Sequence, residues 1–485
     1  MPEDFDLVSL LSDEERKEGE FSLKCISPDD AKYWKIIKKL SPYLSAEAEW
    51  KACAYIQKVL LETRIYYGQA EQRNLDQVNA ALQKISQLNM SLLEEKVTKH
   101  DQLAVIEEIG RFVSPETKAL LHPGTTSYDI LDTARSFLFK RAWKEVMRPE
   151  IVQSTEKVCQ LAEKSFNILQ VGRTHLQNTS PVPFGTTLAG YAARLAERTA
   201  KCDSYFEDLR GKISGIVGTG ASIDMVIGEG KSIEFEKVVL DKLGLKPDYT
   251  ATQVVQKEKL ADVGHGLTTL MLVLKDFAND IRILYSSAIN EVTSRDNAQR
   301  LGGSSADALK NNPIDYENIC GKAKVIESGM SILYDMIVSD LQRDLRSSVE
   351  GRYQPQTMMI QSYEAFTRLN KVLKQLSINE DKMAENLTPV RENPSEAMVA
   401  ILRGEKWIHS KYGVGHDFVK EMGKIAKKRN DKLLFVALED AEFRELYTHL
   451  SPTKRQILEG QLEKYIGSSL ERAKLNIDYA RKICS

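Results

Sequence analysis

The segment RLGGSSADALKNNPIDYEN, residues 300–318, combines hydroxyl groups and a lysine in a stretch rich in small residues. Ser304 and Ser305 offer the hydroxyls, and Lys310 supplies a cation a few residues later. The preceding Gly302–Gly303 pair allows the backbone to hinge. Two interpretations stay open at this point: a solvated Gly/Ser connector, and a lid that closes over a ligand.

A helix start is predicted directly after this segment. Asn312 is a good N-cap, Pro313 suits the first helical position, and Asp315 can complete a capping box. We therefore expect a helix that begins at Pro313.

Two polar segments upstream place imidazole, hydroxyl and carboxylate groups at predicted helix starts. In TKHDQLAVIEEIG, His100 stands beside Asp101, and in HPGTTSYDILDT, Thr126 and Ser127 precede Asp129. Such residues cap helices, which is one interpretation of both segments. The other is functional, because an imidazole beside a carboxylate can hold a proton, and hydroxyls with free helix N–H groups can bind a carboxylate or phosphate.

Two arginine-containing segments suit an anionic ligand. VGRTHLQNTSPVPFG places Arg173 and His175 among amides ahead of a proline-rich break, which fits an anion site as well as a plain turn. QRDLRSSVEGR carries Arg343 and Arg352, which fall on opposite faces of a straight helix. They converge on a phosphate only if the helix ends near residues 346–348; otherwise the segment is a solvated basic surface.

Long helices must position these segments. Apolar residues recur at spacings of three and four, which predicts helices over residues 46–67, 136–167, 258–291, 314–346 and 357–388. Helices of about 30 residues extend about 45 Å, so they need packing partners along their length, from neighbouring helices or other subunits. We predict an all-α chain whose central part forms a long-helix bundle and the core of an oligomer.

Pro/Gly-rich breaks divide the chain into three predicted domains. Residues 1–114 form an N-terminal helical domain, residues 115–375 the central bundle with the polar loop at 300–313, and residues 376–485 a C-terminal helical domain.

Composition argues against several classes of protein. The 67 lysines and arginines are balanced by 69 acidic residues, a net charge of −2, so nothing favours nucleic acid as a partner. Six cysteines without a C-x-x-C pair predict reduced thiols. No membrane-spanning apolar run, signal peptide, glycine-rich nucleotide loop or metal-ligand cluster is visible. We expect a cytoplasmic protein with no metal, no cofactor, no nucleic acid and no membrane partner.

Together the polar segments resemble the signature regions of the fumarase/aspartase superfamily of fumarate-releasing lyases. The loop motif G-S-S-x-x-x-x-K-x-N-P matches residues 303–313, T-S-x-D matches residues 126–129, and G-R-T-H-x-Q matches residues 172–177. The resemblance implies an all-α, three-domain fumarase/aspartase-like fold in which the central bundle forms the core of a homotetramer.

Within the superfamily the chain resembles the adenylosuccinate lyase branch most. KHDQLAVIEE carries its H-D-x-x-A pattern, NNPIDYEN is similar to its N-P-I-D-F-E-N continuation, and QRDLRSSVEGR keeps its R-D-x-x-x-S-x-x-x-R pattern. The resemblance implies β-elimination of fumarate from a phosphorylated N-succinyl nucleotide in purine biosynthesis, without a cofactor.

The resemblance also implies residue roles. Ser305 would be the base that removes a carbon-bound proton, and His175 the acid that protonates the leaving nitrogen. Lys310 would stabilise the alkoxide and the developing dianion, Glu317 would orient His175, and His100 would lie by the leaving group or the nucleotide. The expected substrate-binding residues are Lys32, Tyr33, Asp101, Thr126, Ser127, Thr174, Gln177, Gln253, Ser304, Asn312 and the phosphate-binding set Arg343, Ser348 and Arg352.

Two departures from the superfamily pattern concern the substrate. Asp307–Ala308 replaces the usual Met-Pro, which loosens the loop and adds a negative charge that opposes substrate binding if it points inward. Leu176, Asn178 and Thr179 replace residues of the common H-G-Q-P-A. Two other functions therefore stay open: a related lyase for another N-substituted succinate, of argininosuccinate or aspartate-adduct type, and a non-catalytic structural relative.

Overall fold

The structure is a computed structural model that describes residues 12–294, 307 and 310–485 of the 485-residue chain. Helices dominate these residues, and the strands pair as small two-stranded sheets. The predicted all-α class is therefore confirmed. The division of the chain at residues 114 and 375 stays a prediction.

The first part of the described chain is a series of helices joined by turns. They are α1 Asp13–Lys24, α2 Pro28–Ile37, α3 Ser41–Leu44, α4 Ala46–Tyr66, α5 Gln72–Leu82, α6 Gln87–Leu93, α7 Asp101–Gly110 and α8 Pro115–Ala119. The hydroxyl of Ser45 caps α4 by accepting the N–H of Ala48 at 3.1 Å. The predicted helix over 46–67 is confirmed to within one residue.

The central part contains the longest helices. Its elements are α9 Ser127–Ala142, α10 Arg148–Lys164, β1 Leu169–Thr174, β2 Gln177–Pro183, α11 Phe184–Glu207, β3 Arg210–Gly211, α12 Ala221–Ile227, α13 Ser232–Lys242, β4 Lys246–Pro247, α14 Glu258–Leu284, β5 Val292–Ser294, α15 Ile314–Asp335 and α16 Arg346–Gln375. A wide π-type turn at Trp143–Met147 joins α9 to α10. None of the described helices combines the length and apolarity needed to cross a bilayer.

Shorter elements follow in the C-terminal part. They are β6 Leu376–Ile378, α17 Glu380–Glu392, α18 Ser395–Gly404, β7 Ile408–His409, β8 Gly413–Val414, α19 Gly415–Arg429, α20 Leu433–Glu439, α21 Ala441–His449, α22 Pro452–Leu458 and α23 Ser469–Cys484. The pairs β1–β2, β5–β6 and β7–β8 are antiparallel, and β3–β4 is parallel.

The helix predicted over 357–388 is wrong, because α16 ends at Gln375 and α17 begins at Glu380. Between them, β6 pairs with β5, with Leu376 opposite Ser294 and Ile378 opposite Val292. Apolar periodicity detects a buried face, and it does not reveal that a distant strand supplies the backbone hydrogen bonds.

Other helix ends differ from the prediction by smaller amounts. The helix predicted over 136–167 begins at Ser127, and the helices predicted to end at 291 and 346 end at Leu284 and Asp335. α15 begins at Ile314, one residue later than predicted, and the carbonyl of Pro313 accepts the N–H groups of Tyr316 and Glu317 at 3.1 Å.

The described chain forms two compact units. The first comprises residues up to Ile151, Arg198–Leu272 and Ile319–Arg368, and its apolar core includes Leu60 of α4 and Phe235 of α13. The second comprises the described residues of Val152–Glu197, Val273–Asn318 and Leu369–Ser485. Its C-terminal helices α18 to α22 pack around a core that includes Met398 and Phe418.

A buried ion pair fixes the start of α9 in the first unit. Asp129 and Lys212 are fully buried and in direct contact. The Asp129 carboxylate also accepts the N–H groups of Thr126 at 2.7 Å, Ser214 at 3.0 Å and Gly215 at 3.1 Å. A buried carboxylate needs such compensation, so these bonds hold the first turn of α9 in place.

Glu236 of α13 extends this buried polar cluster. Its Oε1 accepts the N–H of Ile213 at 2.7 Å. Burial raises the pKa of Glu236 from its ordinary value of 4.5 to about 7; the Ile213 N–H opposes this shift and the nearby Asp129 carboxylate adds to it. Charging Glu236 in the folded protein therefore costs stability.

Glu236→Gln should stabilise the protein at alkaline pH and have little effect in acid. At low pH the carboxyl is protonated in both the folded and the unfolded chain. As pH rises from 4.5 to about 7, the unfolded chain loses the proton first, so wild-type stability falls by about 3 kcal/mol in total. Because glutamine stays neutral, urea unfolding should show a gain of up to about 3 kcal/mol at pH 8 and below about 1 kcal/mol at pH 5.

Glu234→Gln is the matched control, because Glu234 is exposed on the same helix. It should change the free energy of unfolding little at either pH. If Glu236→Gln is no more stable than wild type at pH 8, Glu236 ionises in the folded protein without the cost argued above.

Candidate active site

A cavity of about 590 Å³ in the first unit brings together segments that lie far apart in the sequence. Its walls come from the start of α4, the turn before α7, the start of α9 and the start of α16. The sequence-predicted site residues that line it are His100, Asp101, Ser127, Arg343, Ser348 and Arg352. The volume suits a ligand of nucleotide size.

The predicted phosphate-binding set converges at one side of this cavity. Arg343 lies in the turn before α16, and Ser348 lies in the first turn of that helix. The guanidinium of Arg343 donates to Gln253 Oε1 at 3.1 Å and to Ser348 Oγ at 3.4 Å. Convergence of the two arginines was expected to require a helix that ends near residues 346–348; instead α16 begins there, at Arg346.

The cations of the cavity differ in what they already bind. Arg135 forms a two-pronged pair with Glu49 at 3.0 and 3.2 Å. For Arg352, no carboxylate among the described residues lies within ion-pair distance. Burial and the Asp101 charge raise the pKa of Glu94, and the Arg352 charge opposes that rise. Arg352 is therefore a cation that remains available to a ligand.

His100 caps α7 and also lines the cavity. Its Nδ1 accepts the N–H of Leu103 at 3.4 Å, which confirms the capping interpretation. Because Nδ1 acts as the acceptor, the neutral ring carries its proton on Nε2. The side chain is 45% exposed, and Asp101 Oδ1 lies 3.5 Å from Nδ1. The capping role leaves Nε2 for a ligand, so the two interpretations of this residue are compatible.

The T-S-x-D segment divides its residues between capping and the cavity. Thr126 is the N-cap of α9 and forms a capping box with Asp129, as the structural interpretation predicts. Ser127 lines the cavity instead. Ser127 therefore presents its side chain to the cavity, while the Asp129 carboxylate is buried.

In the second unit, His175 lies at the tip of the β1–β2 hairpin. His175 and Leu176 form a two-residue turn between Thr174 and Gln177, and both turn residues have positive φ, 54° and 60°. This geometry belongs to type I′ turns, which favour Asn and Gly. Leu176 thus occupies, with strain, the position where the superfamily pattern has glycine. Thr174, His175 and Gln177 are all exposed.

Arg173, in the same hairpin, is not available to an anionic ligand. Its guanidinium forms two bonds, at 2.5 and 3.1 Å, with the fully buried Glu291. Gln170 and Asn386 also donate to that carboxylate, at 2.6 and 2.8 Å. The arginine anchors the base of the hairpin, so the anion-site hypothesis is wrong for this residue.

The remaining predicted residues of the second unit lie just before α15 or in its first turn. Lys310 and Glu317 are exposed, and Asn312 lines a small cavity with residues of the β5–β6 pair. Asp307 is exposed as well. Ser304 and Ser305 lie outside the described residues.

Lys32 and Tyr33 of α2 do not line the large cavity. Lys32 is exposed, and the ring of Tyr33 lies 4.0 Å from Lys322 Nζ and 5.7 Å from Arg368 Cζ. Their contact with a substrate phosphate stays a prediction.

Tyr128 is a cavity residue that the motifs did not predict. Its ring centroid lies 3.9 Å from Arg343 Cζ, and its hydroxyl lies 2.5 Å from Ser348 Oγ. The sequence contained one indication of its role: Tyr128 occupies the variable position of the T-S-x-D motif, next to Ser127.

Solved structures share this fold. The 3-carboxy-cis,cis-muconate lactonizing enzyme of Pseudomonas putida superposes with a TM-score of 0.77 at 17% identity, covering 92% of this chain and 98% of that one. A fumarate lyase from Mesorhizobium sp. BNC1 gives a TM-score of 0.77 at 19% identity, covering 91% and 97%. These likenesses show that the chain has the fold of these two enzymes.

Sequence comparison then identifies the family. The lyase family profile matches residues 34–327, more than half of the chain, so this protein belongs to the lyase family. It is similar to the adenylosuccinate lyase of Pyrococcus horikoshii, with 31% identity over 79% of this chain and 82% of that protein. The adenylosuccinate lyase of Aquifex aeolicus is also 31% identical, over 73% and 78%.

His100→Asn should separate the capping role of His100 from its chemical role. Asparagine caps helices well, so urea unfolding should give a free energy of unfolding within about 0.5 kcal/mol of wild type. An amide cannot transfer protons as imidazole does, so lyase turnover should fall at least about ten-fold.

Ser114→Asn is the control for this exchange. Ser114 caps α8 by accepting the N–H of Thr117 at 3.2 Å and does not line the cavity. This variant should keep both stability and turnover. If His100→Asn keeps full turnover, His100 acts only as a helix cap and has no chemical role.

Proposed function

We propose that this protein cleaves adenylosuccinate into AMP and fumarate by β-elimination, and that it acts likewise on the succinylated aminoimidazole carboxamide ribotide. The observation that carries the proposal is the cationic side of the cavity, where Arg343, Ser348 and Arg352 present hydrogen-bond donors to a space of nucleotide size. Similarity to adenylosuccinate lyases supports the same substrate.

The reaction removes a proton from carbon, breaks a C–N bond and protonates the departing nitrogen. Under this proposal Ser305 takes the proton, the C–H electron pair forms the double bond of fumarate, and His175 gives a proton to the amine. Lys310 stabilises the serine alkoxide and the charge that accumulates on the neighbouring carboxylate. Glu317 orients His175.

Binding groups hold the two ends of the substrate. Arg343, Ser348, Arg352 and Gln253 are proposed for the nucleotide end, with the phosphate on the arginines and the serine. The residues proposed for the succinyl carboxylates are Thr126, Ser127, Thr174, Gln177, Ser304 and Asn312. His100 and Asp101 are not assigned to one end of the substrate. The Nε2 proton of His100 can be donated to the leaving group or to the purine base of the nucleotide.

The proposed assembly is a homotetramer in the cytoplasm. The hairpin tip that carries His175 is exposed in the single chain and therefore accessible to another subunit. Each active site would combine such a tip with the cavity of a different subunit, which explains why the acid and the binding residues belong to separate segments.

Fumarate release from adenylosuccinate, followed by absorbance, tests the proposal. We expect turnover without added metal or cofactor. Turnover only with argininosuccinate or another N-substituted succinate would instead support the related-lyase alternative. Lack of turnover with every such compound, together with no ligand-induced shift in melting temperature, would support a non-catalytic relative.

Ser305→Ala should abolish turnover and preserve nucleotide binding. Loss of the base should lower kcat about 100-fold or more. Because this hydroxyl is proposed to act on carbon and not on phosphate, calorimetry should give AMP affinity close to that of wild type. Unchanged kcat would remove Ser305 from the role of base.

Arg352→Ala should weaken phosphorylated ligands selectively. A hydrogen bond to a charged group contributes about 1.5–3 kcal/mol, so KM for adenylosuccinate should rise roughly ten- to a hundred-fold. The dephosphorylated substrate should be affected little.

Arg346→Ala is the matched control, because Arg346 lies on the same helix, pairs with Asp340 and Asp344, and does not line the cavity. It should leave both KM values unchanged. Equal losses for the phosphorylated and dephosphorylated substrates in Arg352→Ala would contradict the phosphate role.

A further inference from the structure

Tyr128 contacts both Arg343 and Ser348 from one position. It lies in the first turn of α9 and is only 7% exposed. Its ring lies under the Arg343 guanidinium, with 3.9 Å between Cζ and the ring centroid, while its hydroxyl is 2.5 Å from Ser348 Oγ. A cation held over a tyrosine face is attracted by the ring and loses rotational freedom. Two members of the proposed phosphate-binding set therefore depend on one tyrosine.

Counting donors and acceptors limits the Ser348 hydrogen to two acceptors, the Tyr128 oxygen and a ligand in the cavity. A serine oxygen has two lone pairs and one hydrogen. Arg343 can only donate, so its N–H at 3.4 Å occupies one lone pair of Ser348 Oγ. Either hydroxyl can donate across the 2.5 Å between Tyr128 and Ser348. When an anion in the cavity accepts the Ser348 hydrogen, Tyr128 is the donor and occupies the second lone pair of Ser348 Oγ.

In this ligand-bound arrangement the single hydrogen of Ser348 is directed at the acceptor in the cavity. Ser348 lines that cavity, and both of its donors polarise its O–H bond. Arg343 Nε is likewise a buried donor without a protein acceptor. A hydroxyl hydrogen directed at the cavity beside the Arg343 guanidinium fits an anion, which has several acceptor oxygens and needs no acceptor in return.

We propose that Tyr128 is a positioning residue that makes the cavity selective for a phosphate, by holding the Arg343 guanidinium flat and directing the Ser348 hydrogen towards the ligand. The inference rests on the proposed function, since it names the group that gives that site its preference for a phosphorylated nucleotide. Packing alone would be served by phenylalanine; the hydroxyl is needed for the bond to Ser348.

Tyr128 forms part of the cavity wall, and this determines which variant can test its role as a positioning residue. Tyr128 also lines a separate cavity of about 40 Å³, together with Asp132, Met336 and Gly351. Truncation to alanine would join the two cavities and change the shape of the site. Tyr128→Phe keeps the wall and the contact with Arg343 and removes only the hydroxyl.

The experiment compares AMP with adenosine by calorimetry in wild type, Tyr128→Phe, Ser348→Ala and the double variant, with KM and kcat measured alongside. Tyr128→Phe should weaken AMP about three- to ten-fold, leave adenosine unchanged and raise KM with kcat nearly constant. In the Ser348→Ala background the same exchange should change AMP affinity by less than about two-fold, because the hydroxyl acts through Ser348. Tyr447→Phe is the control, since it removes a 2.7 Å bond to Glu459 away from the cavity.

The outcomes separate this inference from the proposed function. If wild type prefers AMP and Tyr128→Phe keeps the full preference, the inference is wrong and the function stands. An equal loss for AMP and adenosine, or full additivity with Ser348→Ala, also overturns it, because either points to general distortion. If wild type binds AMP no better than adenosine, the phosphate site and the proposed function are wrong, and the inference with them.

Discussion

The shape of the described cavity depends on one buried carboxylate, that of Asp129, whose charge must be compensated within the protein. Asp129 has no exposed surface, and Lys212 together with backbone N–H groups supplies its compensation. These bonds fix the first turn of α9, and the two residues just before Asp129 take their positions from that turn. Ser127 faces the cavity, and Tyr128 supports Arg343 and Ser348. Ligand recognition is therefore linked to a buried ion pair that no ligand touches.

Only some of the arginines that line the cavity are available to bind an anionic ligand. Arg135 is neutralised by Glu49, and this pair ties α9 to α4 across the cavity. Arg343 is shared with Gln253 and Ser348, whereas no carboxylate of the described chain lies within ion-pair distance of Arg352. Recognition groups are thus gathered in one unit. The proposed acid, His175, lies on an exposed hairpin of the second unit. Under our proposal, assembly of several chains brings it to the cavity.

The sequence predicted much of this because the relevant signals are local. Apolar periodicity located α4 and the long central helices, and capping residues marked the starts of α7 and α9. The β5–β6 pair was missed, since pairing across more than 80 residues leaves no trace in a local pattern. Arg173 was misinterpreted because its partner, Glu291, lies 118 residues along the chain. Tyr128 was overlooked because a variable motif position reveals nothing about a contact 220 residues along the chain. Resemblance supplied the roles of Ser305 and His175.

The most direct measurement is an experimental structure of the assembled protein with AMP and fumarate bound. The account predicts phosphate oxygens within about 2.7–3.2 Å of the Arg343 and Arg352 guanidinium groups and of Ser348 Oγ, with the Ser348 hydroxyl still bonded to Tyr128. It also predicts His175 of one subunit beside the nucleotide in the cavity of another. A phosphate held by other residues, with the purine or fumarate against Arg343 and Arg352, would contradict it.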